Sequence, residues 1–237
     1  MKLTSFSLTD IGRVRKNNQD SCYSNDALKL YLVADGLGGH AAGDVASRMA
    51  KDWVVHLFSS TKHSFDPASY LTQAIQEANH KIYDKASDSL ELKGMGTTFT
   101  GLYFSYDTAY IAHVGDSRAY VIYEKMIWQL SQDHTVISQQ FMEKAHVPVK
   151  NALTRSVGFD AEVEVDLYTK KANKGEVYVL CTDGLHGFVA PQEIVNIVNQ
   201  SSYEKAALEK ATQDLVKLAN ERGGDDNITV VLTRVER

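Results

Sequence analysis

The chain has 237 residues, which against a norm of about 100–200 residues per domain argues for one large domain spanning residues 1–237. With 43% hydrophobic residues, 23% charged residues and only 3 Pro it can bury a sizeable core, which excludes disordered and collagen-like classes. Asp and Glu total 30 against 25 Lys and Arg, a formal net charge of −5, so neither nucleic acid nor an anionic membrane surface is an expected partner.

The first elements read as strands: Leu3 to Thr9, Ser21 to Ser24, and LYLVAD from Leu30 to Asp35. After a Gly-rich turn, Val45, Met49, Trp53 and Leu57 recur at four-residue spacing, widened by Ala46, Val54 and Phe58, and predict an amphipathic helix. A second helix is expected from Pro67, behind the capping candidate Asp66, through Leu71, Ile75, Ala78 and Ile82. The strand runs TTFTGLYFS, TAYIAHVG, RAYVIYE and MIWQL follow. Their connectors at Tyr106-Asp107 and Glu124-Lys125 are too short for helical crossovers and predict antiparallel pairing. AEVEVDLY and EVYVLCTD add strands, PQEIVNIV and YEKAALEKATQDLVKLANE add helices, and NITVVLTRV closes the chain as a strand. Strand runs flanked by helix pairs, without strict β-α-β alternation, define an α+β layered fold.

The 2 cysteines, Cys22 and Cys181, are too few for a disulfide framework and fit a reducing compartment. The start MKLTSFSLTD has no apolar signal core, and apolar stretches such as WVVHLF fall far short of the ~20 residues that span a bilayer, so a cytoplasmic protein is expected.

Acids fall at strand ends. Asp35 ends LYLVAD, Asp116 follows YIAHVG, Asp183 ends VYVLCTD, and Asp226 precedes NITVVL. Any one Asp beside a Gly is a common turn pair. The four together, each bordering an apolar strand, point to carboxylates converging on one edge, where hard divalent cations would relieve their repulsion. None of the 8 His begins an HExxH and the Cys form no CxxC, so oxygen ligation is favoured over zinc chemistry. GRVRKNNQD sets Arg13, Arg15 and Lys16 ahead of Asp20: alone a solvated basic turn, beside dications a clamp for a phosphoryl oxygen. Metals and a guanidinium together suggest metal-assisted phosphate-ester hydrolysis.

RVRKNNQD, LYLVADGLGGHAAGDVAS, GTTFTG, HVGDSRAY, LTRSVG, CTDGL and RGGDDNITVV resemble, in that order from Gly12 to Val231, the motif set of the metal-dependent PPM (type 2C) serine/threonine protein phosphatases, above all their compact bacterial members. The resemblance implies a four-layer αββα sandwich of two antiparallel sheets flanked by helix pairs. It also implies two Mn²⁺ or Mg²⁺ ions in a cleft at one end, with a weaker third. Asp35 matches the acid bridging both metals, Gly36 the backbone carbonyl ligand, and Asp183 and Asp226 the other direct ligands. Asp20 matches an outer acid that orients metal-bound water, and Gln19 stands where many members have Glu. Asp116 matches the acid that joins Asp183 at the third ion.

Arg15, not Arg13, matches the phosphate-binding arginine. The implied mechanism is direct attack of a metal-bridging water on phosphoserine or phosphothreonine, without a phosphoenzyme. His40 in DGLGGHAAG is the candidate general acid, or a local hydrogen-bonding group at the helix start. The stretch from Asp133 to Arg155 is shorter than the flap of bacterial members, which bears on substrate choice. Implied partners are phosphoproteins and an opposing Ser/Thr kinase, with the chain acting as a monomer and a free catalytic domain.

Rival patterns are weaker. Gly36, Gly38 and Ala41 satisfy a loose dinucleotide fingerprint, which requires a parallel sheet. Gly115 to Ala119 nearly matches GxSxG but lacks the last Gly, and Gly-Lys of a phosphate loop occurs nowhere. A cysteine phosphatase needs an Arg six positions after its nucleophile, where Leu28 and Gly187 stand instead, so Cys181 is expected to be a buried strand residue. A non-catalytic phosphopeptide-binding module would have lost metal-ligand acids, yet Asp35, Asp183 and Asp226 are present.

Overall fold

The computed structural model describes residues 1–38, 42–61, 65–88, 90–136, 152–200 and 205–236; His40 and most of the flap lie outside them. Strands β1 (Leu3–Asp10), β2 (Asp20–Asn25) and β3 (Leu30–Leu37) lead into helices α1 (Ala42–Ser60) and α2 (Pro67–Ser87). Then come β4 (Gly96–Thr97), β5 (Phe99–Ser105), β6 (Thr108–Val114), β7 (Arg118–Tyr123) and β8 (Met126–Gln129). β9 (Thr135–Val136) and β10 (Ala152–Leu153) pair at the base of the flap. β11 (Asp166–Lys171), β12 (Val177–Cys181), α3 (Asp183–His186), α4 (Pro191–Gln200), α5 (Lys205–Glu221) and β13 (Ile228–Val235) complete the order.

One sheet runs β1-β13-β12-β7-β8 and the other β11-β6-β5-β3-β2, with every pairing antiparallel. The connectors expected as hairpins are hairpins, with Tyr106 at φ 52 and Glu124 at φ 56. The side-chain period of a strand explains the layering. In β13, Ile228, Val230 and Leu232 face a core shared with α4 and α5, while Val231 and Val235 face the other sheet. In β3, Leu30 and Leu32 face α1 and α2, while Tyr31 and Val33 face the inter-sheet core. Three stacked cores between four layers are the αββα sandwich expected, each fully buried Val, Leu or Ile contributing about 1.5–3 kcal/mol by removal from water.

α2 begins as expected: Asp66 caps it by accepting a hydrogen bond from the Ser69 amide at 2.9 Å, ahead of Pro67. α1 differs in its buried face. Its fully covered stripe is Ala46, Ala50, Val54 and Phe58, one position round from Val45, Met49, Trp53 and Leu57, which are half-buried. The small Ala side chains let the helix lie close on β3. Trp53 instead turns to α2, donating to Glu77 at 3.3 Å under the Lys81 ammonium. AEVEVDLY becomes strand only from Asp166; Val163 and Val165, upstream of it, pack against the α1–α2 core.

Candidate metal centre

Asp20 and Asp35 face each other as paired residues of β2 and β3, so register alone sets two carboxylates side by side. Asp20 is 8% exposed. Its Oδ2 accepts hydrogen bonds from Thr182 Oγ1 at 2.8 Å and Thr229 Oγ1 at 2.6 Å, which reach across from the other sheet. Its Oδ1 is buried with no hydrogen-bond partner among the described residues. Burial pushes Asp20 up to about 7, the two hydroxyls pull it down, and the charges of Asp183 and Asp226 raise it further. Asp35 is raised well above the usual carboxylate range, first by burial and then by the charges of Asp20, Asp183, Asp226 and Asp116. Acids that are far apart in the chain therefore act on one another, as their sequence positions predict.

The chain turns sharply to bring them there. At Gly36 an added Cβ would lie 2.1 Å from the Gly43 carbonyl oxygen, so only a glycine lets the end of β3 touch the start of α1. Asp183 does not end a strand; it opens the short helix α3 behind Thr182. An added Cβ on Gly184 would lie 1.9 Å from the Asn227 carbonyl oxygen, which presses α3 onto the start of β13 beside Asp226. Asn227 in turn donates to the Ile11 and Asn17 carbonyls and accepts from the Gln19 amide at 2.8 Å, fastening the basic N-terminal loop to the same place. That loop sets Arg15 on Asp226 at 2.6 Å, with its Nε donating to the Asp225 carbonyl at 3.2 Å. Asp116 sits in the bend after Gly115, its carbonyl accepting from His186 Nε2 at 3.0 Å. Burial, then the Asp183 and Asp133 charges, push Asp116 up to about 6.

Asp116, Asp183, Asp225 and Asp226 line a cleft of about 390 Å³ with Arg118 and Phe188. A larger cavity of about 520 Å³ lies between the end of α2 and Phe159, but Asp88 is the one acid among its described lining residues, so convergence of charge, not size, marks the site. Among the described residues the acids do not close into a compact cage; Asp116, Asp183 and Asp226 line the cleft, and their charges together with that of Asp20 raise Asp35. The donor set still fits hard divalent cations. All its side chains offer carboxylate oxygen, their repulsion needs positive charge, and Asp20 carries a buried acceptor with nothing to accept.

Of the residues expected at the site, Asp20, Asp35, Gly36, Asp116, Asp183, Asp226 and Arg15 are brought together, and His40 is outside the described residues. Sequence patterning does not single out Thr182, Thr229, Asn227, His186 or the pair in which Arg118 grips Asp133 with Nε at 2.9 Å and NH2 at 2.7 Å. Asn227, polar and directly before the largely apolar run ITVVL, carried the one signal that could have found it. The rival nucleophiles are out of play: Ser117 is buried against Thr98 Oγ1 at 2.7 Å, and burial pushes the Cys181 thiol up to about 12. Antiparallel neighbours on both sides of β3 exclude a dinucleotide fold.

Fold and cleft together define an αββα protein with an acidic cation site at one end of its two sheets. The chain belongs to the Protein phosphatase 2C family, whose sequence profile matches residues 13–232. It is 34% identical to the Serine/threonine phosphatase stp of Listeria monocytogenes over 242 residues, 97% of this chain and 94% of that protein. The crystal structure of the Mycobacterium tuberculosis serine/threonine phosphatase PstP/Ppp superposes with a TM-score of 0.87 at 31% identity, covering 100% of both chains. The catalytic domain of PstP in complex with 2 manganese ions gives 0.86 at 32% identity, covering 100% of this chain and 99% of that one.

Proposed function

We propose that this protein is a Mn²⁺- or Mg²⁺-dependent phosphoprotein phosphatase that hydrolyses phosphoserine and phosphothreonine, acting as a cytoplasmic monomer against a Ser/Thr kinase. The observation that carries the reading is the mutual repulsion of Asp20, Asp35, Asp116, Asp183 and Asp226, the last three of which line one cleft, beside the Arg15 guanidinium. The family and the manganese-bound relative support it. Asp35, the Gly36 carbonyl, Asp183 and Asp226 would hold the core ions, with Asp20 behind them and Asp116 with Asp183 at a weaker third position. Bound there, such ions supply the positive charge and Lewis acidity that water needs to attack phosphorus.

The chain's own groups do the rest. Thr182 and Thr229 hold the Asp20 carboxylate in one orientation from the opposite sheet, so it cannot swing away as charge in the cleft changes. Arg15 is half-exposed and bound at its other edge only to a backbone carbonyl, so its fork can turn from Asp226 to two oxygens of a phosphoryl group. His186 and the Arg118–Asp133 pair fix the bend that presents Asp116. His40 is the proposed donor of a proton to the leaving alkoxide.

The test is phosphate release from a phosphothreonine peptide with Mn²⁺, with chelator, and with Asp183→Asn. Chelator should abolish release, and the substitution should lower it at least about 100-fold, since losing a metal ligand costs more than losing a residue that only hydrogen-bonds a ligand, which costs about 10–100-fold. Turnover unchanged in chelator overturns the reading. A folded protein that binds the peptide and never releases phosphate is a binding module instead.

A further inference from the structure

We infer that Asp225 and Phe188 form a subsite that selects substrates carrying a Lys or Arg next to the phosphorylated residue; the inference rests on the phosphatase reading above. Both residues line the cleft that holds Asp183 and Asp226, and Asp225 directly precedes Asp226 in the chain. The Asp225 carbonyl receives Arg15 Nε, so its backbone sits at the place where Arg15 would meet a phosphoryl group.

The two side chains are close neighbours. The point where a Cβ of Gly223 would stand is 3.2 Å from Asp225 Oδ1 and 3.4 Å from Phe188 Cε1, and Gly223, at φ 138, is exposed. A carboxylate and the edge of an aromatic ring therefore lie side by side at the rim, and the glycine between them in the chain leaves both uncovered. That pairing matches a long cationic residue, whose apolar stem lies on the ring while its head meets the carboxylate.

Charge makes the choice directional. Arg118 holds Asp133 and Arg15 holds Asp226, whereas among the described residues no cation sits on the exposed Asp225 carboxylate. Divalent ions in the core would neutralise the inner acids and leave Asp225 as the charge a substrate meets at the rim. The Phe188 wall is braced: its carbonyl accepts from Arg222 at 2.8 Å, and that guanidinium is gripped by Glu193 through both carboxylate oxygens. Arg222 is thus occupied in support and does not compete for the Asp225 carboxylate. The other exposed cation near is Arg13, whose stem would collide with a Cβ on Gly224; it would favour an acidic neighbour in the substrate, the opposite preference.

The experiment uses the full chain with Mn²⁺, p-nitrophenyl phosphate, and phosphothreonine peptides that differ in one residue, Lys, Arg, Ala or Glu, placed on each side of the phosphothreonine in turn. On one side, Lys and Arg should exceed Ala in kcat/KM by about three- to tenfold, the range of an exposed ion pair with a packed stem, and the gain should lie in KM. Asp225→Asn should bring that ratio close to one, and Asp225→Lys should turn the preference to Glu. High salt should compress the wild-type ratio, a reading that needs no variant. A wild-type ratio near one, a preference for Glu, or a basic preference that survives both Asp225→Asn and high salt overturns the subsite while hydrolysis itself stands. No phosphate released from any of these substrates overturns the phosphatase reading, and the subsite with it.

Discussion

Asp20→Asn should flatten the dependence of stability on pH. The Asp20 carboxyl titrates near 3.8 in a free chain and near 7 in the fold, because burial and the neighbouring acids penalise its charge. Between those values the native state keeps a proton that the unfolded state has lost. Stability from this group is therefore complete below 3.8 and declines as pH rises to 7, where the loss ends. From pH 5 to pH 8 the decline amounts to about 3 kcal/mol, at 1.36 kcal/mol per unit over the two units below 7. An Asn side chain can still accept from Thr182 and Thr229, but it sets a buried amide where Oδ1 has no partner, a pH-independent cost of about 1–3 kcal/mol. The variant should start less stable at pH 5 and lose less on the way to pH 8, so the two curves approach or cross. Asp35 loses a charged neighbour and Asp116 keeps its own rise to about 6, so a residual slope remains. Urea denaturation of chelator-treated protein at several pH values measures both curves, and saturating Mn²⁺ should flatten the wild-type curve by taking the proton's place. Parallel curves for the two proteins would refute the claim that burial holds Asp20 protonated.

Two further substitutions separate architecture from chemistry. Gly184→Ala places a methyl 1.9 Å from the Asn227 carbonyl oxygen and 3.2 Å from the Ile228 Cα, backbone that cannot move without shifting β13; urea denaturation should show a loss of about 3 kcal/mol or failure to fold. Arg15→Ala should change the urea midpoint little, because an exposed pair contributes about 0–1 kcal/mol. It should lower kcat/KM on phosphopeptides about 10- to 100-fold, the worth of a charge-assisted hydrogen bond to phosphate. Equal losses of stability and activity in Arg15→Ala would mean that Arg15 is a structural tie to Asp226 and nothing more.

The layers were readable because burial on two faces leaves a mark. LYLVA and, apart from Thr229, ITVVL are apolar runs, as strands with a sheet on one side and helices on the other must be. The tight connectors at Tyr106 and Glu124 forced antiparallel pairing without knowledge of any distant contact. What escaped was set at longer range. β1 lies beside β13, the two ends of the chain, and no local pattern announces that pairing. β4, β9 and β10 are 2-residue ladders, too short for a period, and α3 is 4 residues that continue a strand motif into a turn of helix. The face of α1 shifted by one residue because Ala at the contact and bulk beside it is a question of how closely helix and sheet approach, which hydrophobicity does not encode.

The site divides along the same line. Its acids were legible because each borders an apolar run, and four such acids, three after a run and one before, need a common cause. Their supports were not. Thr182 and Thr229 are buried hydroxyls in apolar surroundings, tolerable there only because Asp20 of the other sheet accepts from both. Asn227 is likewise satisfied by three backbone groups of a loop some two hundred residues earlier in the chain. Acids that repel one another would open the cleft if they hung on a single sheet's edge. Here the hydroxyls of β13 and of the Thr182 turn grip an acid of β2, so the two sheets are fastened together at the point where the charge would drive them apart. The arrangement holds like charges near one another before a cation arrives, and it leaves the cation, not the fold, to relieve their repulsion.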